Sequence, residues 1–445
     1  MMAANLISDP KWSLVLIAVI AGTIIFDSSV VPLSTFIDLG LRAQERVLIF
    51  IVLFFTFCAC SFWILKAIRD GRLIQSSFGH KTFEFFYKGI LTVALSIGGI
   101  FLLIIFQVLM DKSYATLYLY VGAYLTHFSA IFFLGATVFM LVKWLISSRN
   151  RILVLYAISF TMLSVDMLIS MGYLTVQFSN LGSHIRVHSI QWFLVMIPGA
   201  ELSKSFGPIL DILSLISFVL AWFATALLMM HYRQRMGRLK YWILIAMPLA
   251  YFIFPFEPYL SGAMQSLTDY SLVISGVTSV LLFSATQQVG GILFATVFLT
   301  ASATVKRTKL RNSLIMTSIG MAVLFGSVEI DSLLYAVYPP FGFVTISYLP
   351  LGSFLLFTGL FISARFVSQD AELRKELYRN AKSQLRLLKS IGVAQMEKDL
   401  EQKAKVMTEK LGPMQYESPE VEEEEMKQIL RDVLAEIHYT GKQDR

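Results

Sequence analysis

Apolar runs close to 20 residues long recur along most of the chain, separated by short polar connections. A run of that length crosses a hydrocarbon core of ~30 Å as a helix rising ~1.5 Å per residue. The runs are solid rather than alternating, so they predict helices and not the period-two strands of a barrel. Spans are expected at about 12–31, 47–65, 89–110, 117–142, 152–174, 208–230, 241–260, 272–301, 313–337 and 343–364. Trp12, Tyr118, Tyr120, Trp144, Tyr241, Trp242, Tyr335 and Tyr338 stand near the span ends, where amphipathic rings anchor helices at the interface. The expected fold class is therefore all-α. It is a polytopic transmembrane helix bundle of about ten spans over residues 1–364, followed by a charged helical cytoplasmic tail over 365–445.

The first run has the shortest apolar core, Trp12 to Phe26, and reads either as a retained helix or as the h-region of a signal peptide. A single Lys beside Asp9, and no clean small-residue cleavage site after Phe26, favour the retained helix. Between Thr175 and Gly207 lies one long connection with a second apolar piece, Ile190 to Pro198, too short to span and suited to the interface.

The tail separates into two predicted helices, about 366–411 and 419–439. In the first, Leu373, Leu377, Leu385, Leu388, Ile391, Met396, Leu400, Met407 and Leu411 mostly fall one or two turns apart. The spacing departs from a strict heptad and Gly392 interrupts it, so a coiled coil competes with an amphipathic helix lying back on the bundle. The second opens at Ser418-Pro419, a capping residue followed by Pro at the first helical position, with Glu420 and Glu422 to Glu425 in its first turns. Met426, Ile429, Leu430, Val433, Leu434 and Ile437 then form one apolar stripe that needs a covering surface. Candidates are the first tail helix, a twin subunit in a homodimer, or an unknown cytoplasmic protein.

Composition agrees with lipid as solvent: 56% of the 445 residues are hydrophobic and 15% charged, against ~25% charged in soluble domains. Residues 1–364 hold 22 Lys and Arg but 14 Asp and Glu, so the excess positive charge lies in the membrane part. There it sets orientation rather than reading nucleic acid. Seventeen of those basic residues fall in one set of alternate connections and five (Arg42, Arg46, Lys112, Arg186 and Lys204) in the other. The rule that positive loops stay inside places both termini in the cytoplasm of a cell-membrane protein.

No nucleotide-binding, hydrolase, zinc-protease or C-x-x-C motif occurs, and the tail is too helix-like for a catalytic domain, so a non-enzymatic chain without cofactor is expected. Cys58 and Cys60 share one apolar run and read as filler, not as a disulfide framework or zinc site. His184 and His188 are four apart, which on a helix would share a face, but two ligands make no site. Of the six histidines only His127 lies deep in a span.

Carboxylates carry the candidate chemistry. Asp27, Asp166, Asp211, Glu257, Glu329 and Asp331 all fall within or beside spans and gather toward the outer ends. Asp166 lies ~22 Å above Arg151, and Glu329 ~24 Å above Ser313, at one helical rise per residue. Burying a carboxylate costs several kcal/mol unless it is paired or wetted. Asp27, Asp211 and Glu257 are expected at the solvated interface, and Asp166, Glu329 and Asp331 in an outward polar pocket with His127 nearby. Gln287-Gln288 and Gly290-Gly291 interrupt the eighth run and suggest close helix packing.

The run Tyr338-Pro-Pro-Phe-Gly342, the span after it, Ser368-Gln-Asp370, Ser390-Ile-Gly392 and Ala394-Gln-Met-Glu397 together resemble a family of archaeal multi-pass membrane proteins of unassigned function. The resemblance covers about the last quarter of the chain. It implies that the last span and tail form one repeated design, and it carries no activity or ligand. The functional expectation is a membrane sensor or signalling scaffold that couples the pocket to the tail. A secondary transporter of two opposed five-span halves and an accessory subunit of a membrane complex are the alternatives.

Overall fold

The protein is seen here in a computed structural model, described for residues 10–36, 43–70, 80–148, 150–181, 186–188, 200–230, 237–253, 289–303, 305, 307–327, 338–370, 388 and 391–400. Helices dominate: α1 Pro10–Phe36, α2 Ala43–Asp70, α3 His80–Asp111, α4 Thr116–Ser148, α5 Arg151–Leu181, α6 Ala200–Met229 and α7 Arg238–Ile253. They continue with α8 Val289–Ala303, α9 Thr308–Gly326, α10 Phe343–Ser347 and α11 Leu349–Gln369, and α12 over 391–400. Among the described residues six helical stretches are long and apolar enough to cross a membrane, the last being Phe343–Gln369.

Two helices form the centre. Every residue of α9 from Asn312 to Gly326 is buried, and so is every residue of α11 from Leu349 to Leu360. They run antiparallel, with Ser313 and Ser363 hydroxyls 2.9 Å apart. Gly320, Gly352 and Gly359 lie against the backbone of the opposite helix, where a side chain would collide. Small residues at such a crossing let two backbones approach, which is how helices associate when lipid removes the hydrophobic drive. Around this pair, Ser318 donates to the Ala295 carbonyl of α8, and Ser159 on α5 donates to the Ser217 carbonyl of α6. Gly290 faces the Phe218 ring and Gly291 the α9 backbone, as the packing expectation for that interruption required. Pro248 interrupts the ladder of α7, and Trp222 donates to the Ile245 carbonyl in that turn.

The outer faces are apolar. Phe55, Phe62, Trp63, Leu95, Phe106, Phe128 and Phe139 are each 53–68% exposed. Such a belt would aggregate in water and is covered by acyl chains in a bilayer. Helix α1, whose apolar stretch Leu14–Ser28 is shorter, is packed into the bundle: Leu16, Ile17, Ile20 and Ile24 are buried, and α1 packs against α9 and α10.

Two short strands, β1 Ser113–Ala115 and β2 Arg186–His188, pair antiparallel with Tyr114 opposite Val187. His188 ends a strand, and position 184 lies outside the described residues. Tyr114 is buried beneath the pair, and burial pushes its phenol well above the ordinary range.

The chain divides into two compact units, Met1–Gln395 and Met396–Arg445. The first stretch of the tail thus belongs with the bundle. Of the second unit only residues 396–400, helical, are described. The predicted helix 419–439 with its stripe from Met426 to Ile437 lies outside the described residues.

Candidate functional site

The last span is broken, for local reasons. After Tyr338-Pro-Pro-Phe341, Gly342 takes φ +88°, a left-handed conformation that costs glycine little and lets the chain turn directly into α10. Pro350 has no N–H to give the preceding turn. At Tyr348 the backbone N–H folds back to the carbonyls of Thr345 and Ile346, and α11 starts anew at Leu349. The result is a five-residue half-helix whose N-terminal amides point into the bundle.

Asp27 meets them. Its Oδ2 accepts the Thr345 N–H at 2.8 Å and the Thr345 hydroxyl at 2.9 Å. The amides of Gly342 and Val344 also donate toward the carboxylate. Successive backbone N–H groups of this kind make a concavity for an anion, and bonds to an ionised acceptor are about twice as strong as neutral ones. Asp27 is 0% exposed and its Oδ1 has no hydrogen-bond partner. Tyr348 at the break is also fully buried, its ring edge-on to Phe57, its hydroxyl close to the Cys60 thiol and without a geometrically sound hydrogen bond. Nearby, a void of about 10 Å³ is lined by Phe57, Ser61, Ile97, Ser347 and Pro350, at the lower limit for one water.

Asp27 was expected at the solvated interface, and that expectation fails. The helix does not end at residue 31 but runs to Phe36, which leaves Asp27 nine residues inside it. The signal available in the sequence was the run Val30-Val-Pro-Leu33 beyond the aspartate.

The other candidates divide. Asp166 on α5 is 5% exposed and His127 on α4 is 1% exposed. The His127 ring bonds the Ala123 carbonyl at 2.8 Å, one turn back on its own helix, so one nitrogen is committed to local structure. The Tyr124 hydroxyl donates to the Thr175 hydroxyl at 2.7 Å and joins α4 to α5. Asp211 lies in α6, though nothing is described of its side chain. Glu257, Glu329 and Asp331 lie outside the described residues, as does their expected convergence on Asp166. Among the described residues no group of three His, Cys, Asp or Glu could hold a metal ion.

At the other end of α11 the tail returns. Leu388, Ile391 and Ala394, spaced three apart, are 0–2% exposed. Ile391 enters a crevice with Leu141, Tyr156, Phe160, Phe298, Leu356 and Leu360. Gly392 sits directly on Val367, where a Cβ would overlap that side chain. The buried Trp144 indole donates to Gln395 Oε1 at 3.0 Å. Arg307 pairs with Asp370 at 3.8 Å across the same end. The three-residue spacing of Leu388, Ile391 and Ala394 was their signal in the sequence. Comparison with known proteins gives no match to a family model, to a curated protein or to a solved structure.

Proposed function

We propose that this chain is a non-enzymatic membrane sensor or signalling scaffold, in which α11 carries a change at the Asp27 end to the tail docked at its other end. One observation supports the reading above all: α11 is buried along its length, with a capped carboxylate at the break before it and Ile391 wedged beside Leu356 and Leu360. Close-packed interiors shift between discrete arrangements rather than deforming smoothly. A buried helix that touches both features is suited to such a shift. The released tail would present its apolar stripe, Met426 to Ile437, to a cytoplasmic protein, and the acidic first turns of that helix make anionic lipid an unsuitable cover.

The test uses the full-length protein in lipid nanodiscs. Ile391→Asp places a charge in an apolar crevice and should expose residues 391–395 to protease and change the set of cytoplasmic proteins recovered. Trp144→Phe, which removes one hydrogen bond and little volume, should do the same more weakly. Unchanged protection and unchanged partners in both variants would overturn the reading.

A second reading, a secondary transporter, is favoured by the broken helix itself, because transporter sites are built where half-helix termini face a buried group. Uptake of a solute by proteoliposomes, lost in Asp27→Asn, would move the assignment there.

A further inference from the structure

A carboxylate with no exposed surface needs its charge balanced, and at Asp27 the balance is incomplete. Oδ2 accepts from Thr345, while Oδ1 makes no hydrogen bond. The charged and titratable groups on the elements packed around it can be named. Tyr348 stands at the break and Cys58 and Cys60 on α2. Further along, α2 carries Glu45 and Arg46 in its first turn and Lys66, Arg69 and Asp70 at its other end. Helix α4, which packs on α10, carries the buried His127, and Lys309, Arg311 and Arg365 lie at the far ends of α9 and α11. Glu329 and Asp331 follow α9 outside the described residues.

We infer that Asp27 is a proton-binding site, and that a single proton taken up at Oδ1 loosens the latch between α1 and the break in the last span. The ligand class follows from the surroundings. A second anion is excluded by the aspartate, which already fills the amide concavity. A metal cation would need several oxygen ligands, and among the described residues no group of three His, Cys, Asp or Glu could hold one, while the other oxygen of Asp27 faces the positive ends of backbone dipoles. A proton needs one oxygen. In the ionised state Asp27 is acceptor-only and holds the Thr345 N–H and O–H by charge-assisted bonds. Protonation at Oδ1 removes the charge, weakens both bonds at Oδ2 and creates a new O–H donor. The Tyr348 hydroxyl, also without a hydrogen-bond partner, stands at the same break. No bond other than O–H is made or broken, and the proton returns to water when the site ionises.

That this proton reaches the tail rests on the sensor reading; the site itself rests on the geometry. The experiment keeps them apart. Full-length protein in nanodiscs is titrated with pH while the infrared carboxyl band and amide exchange of residues 343–348 are recorded, with tail protection measured on the same samples. A buried-carboxyl band should grow as pH falls in the wild type and in Glu329→Gln and Asp331→Asn, and be absent in Asp27→Asn. Exchange at Thr345 should rise ~10-fold as the band grows, the change expected on losing one charge-assisted bond, and should be permanently fast in Asp27→Asn. A response to sodium or potassium at fixed pH, or no band that depends on Asp27, would overturn the proton site. Titration of Asp27 with unchanged tail protection would leave the proton site standing and overturn the sensor reading.

Discussion

Replacing Gly320 by Ala adds one methyl where the two central helices touch. The new Cβ would stand 2.5 Å from the Leu356 nitrogen, 2.9 Å from the Gly352 carbonyl oxygen and 3.0 Å from Leu356 Cα. Comfortable contact begins near ~3.5 Å, so α9 and α11 must separate by about 1 Å there. All three neighbours are backbone atoms, and no rotamer change relieves the clash. Overpacking of a dense interior costs ~1–3 kcal/mol, and the better helix propensity of Ala returns ~0.5–1 kcal/mol. The net loss is about 1–2 kcal/mol, a ~5–30-fold fall in the folded-to-unfolded ratio. Gly98→Ala on α3 is the control, because nothing lies within 4 Å of its Cβ position. There propensity acts alone, and a gain of up to ~1 kcal/mol is expected. Reversible unfolding in mixed micelles, followed by tryptophan fluorescence, measures both. If Gly320→Ala is as stable as Gly98→Ala, the two central helices do not cross at this distance and the packing argument fails.

Two further outcomes follow. Single cysteines at Ser183 and Gln265 should label from outside intact cells, while those at Gly237 and Ser418 should not, because of the basic bias among connections; the opposite pattern would reverse the orientation. Tyr114 has its phenol raised above the ordinary 10.0 by burial, so the folded state favours the neutral form. The stability this contributes is complete below pH ~10 and falls as pH climbs toward the folded value. Alkaline melts should show that loss in the wild type and much less of it in Tyr114→Phe.

The helices were legible in the sequence because their signal is local: about 20 apolar residues in a row leave one structural solution in lipid. Their ends were less so. Helix α1 continues through Val30-Val-Pro-Leu33 as far as Phe36, with Pro32 inside it. That error moved Asp27 from the core to the interface. Which helices sit at the centre was also hidden, because central α9 is the more polar in sequence, with Lys309, Arg311, Asn312 and several hydroxyls, while the more apolar α3 leaves Leu95 and Phe106 exposed; the close fit of Gly320, Gly352 and Gly359 against a partner backbone is a tertiary property. The burial of Asp27 was not legible, because the sequence reading placed that carboxylate at the solvated interface. Its partners at positions 342 to 345 lie more than 300 residues away in sequence, and no local pattern encodes such a pairing. The tail showed its helical spacing at Leu388, Ile391 and Ala394, yet the crevice that receives Ile391 is assembled from four other helices.

Coupling along α11 is tested most directly from the tail inward. Linkage is reciprocal: if the state at Asp27 alters the docked tail, undocking the tail must alter the state at Asp27 by the same free energy. Amide exchange of residues 343–348 is therefore measured in full-length protein in nanodiscs, wild type against Ile391→Asp, with the folded bundle verified by unchanged exchange in α5 and α6. Faster exchange at Thr345 to Tyr348 in the variant is the predicted result. Identical exchange there, with the tail demonstrably released, would contradict the claim that α11 joins the two ends.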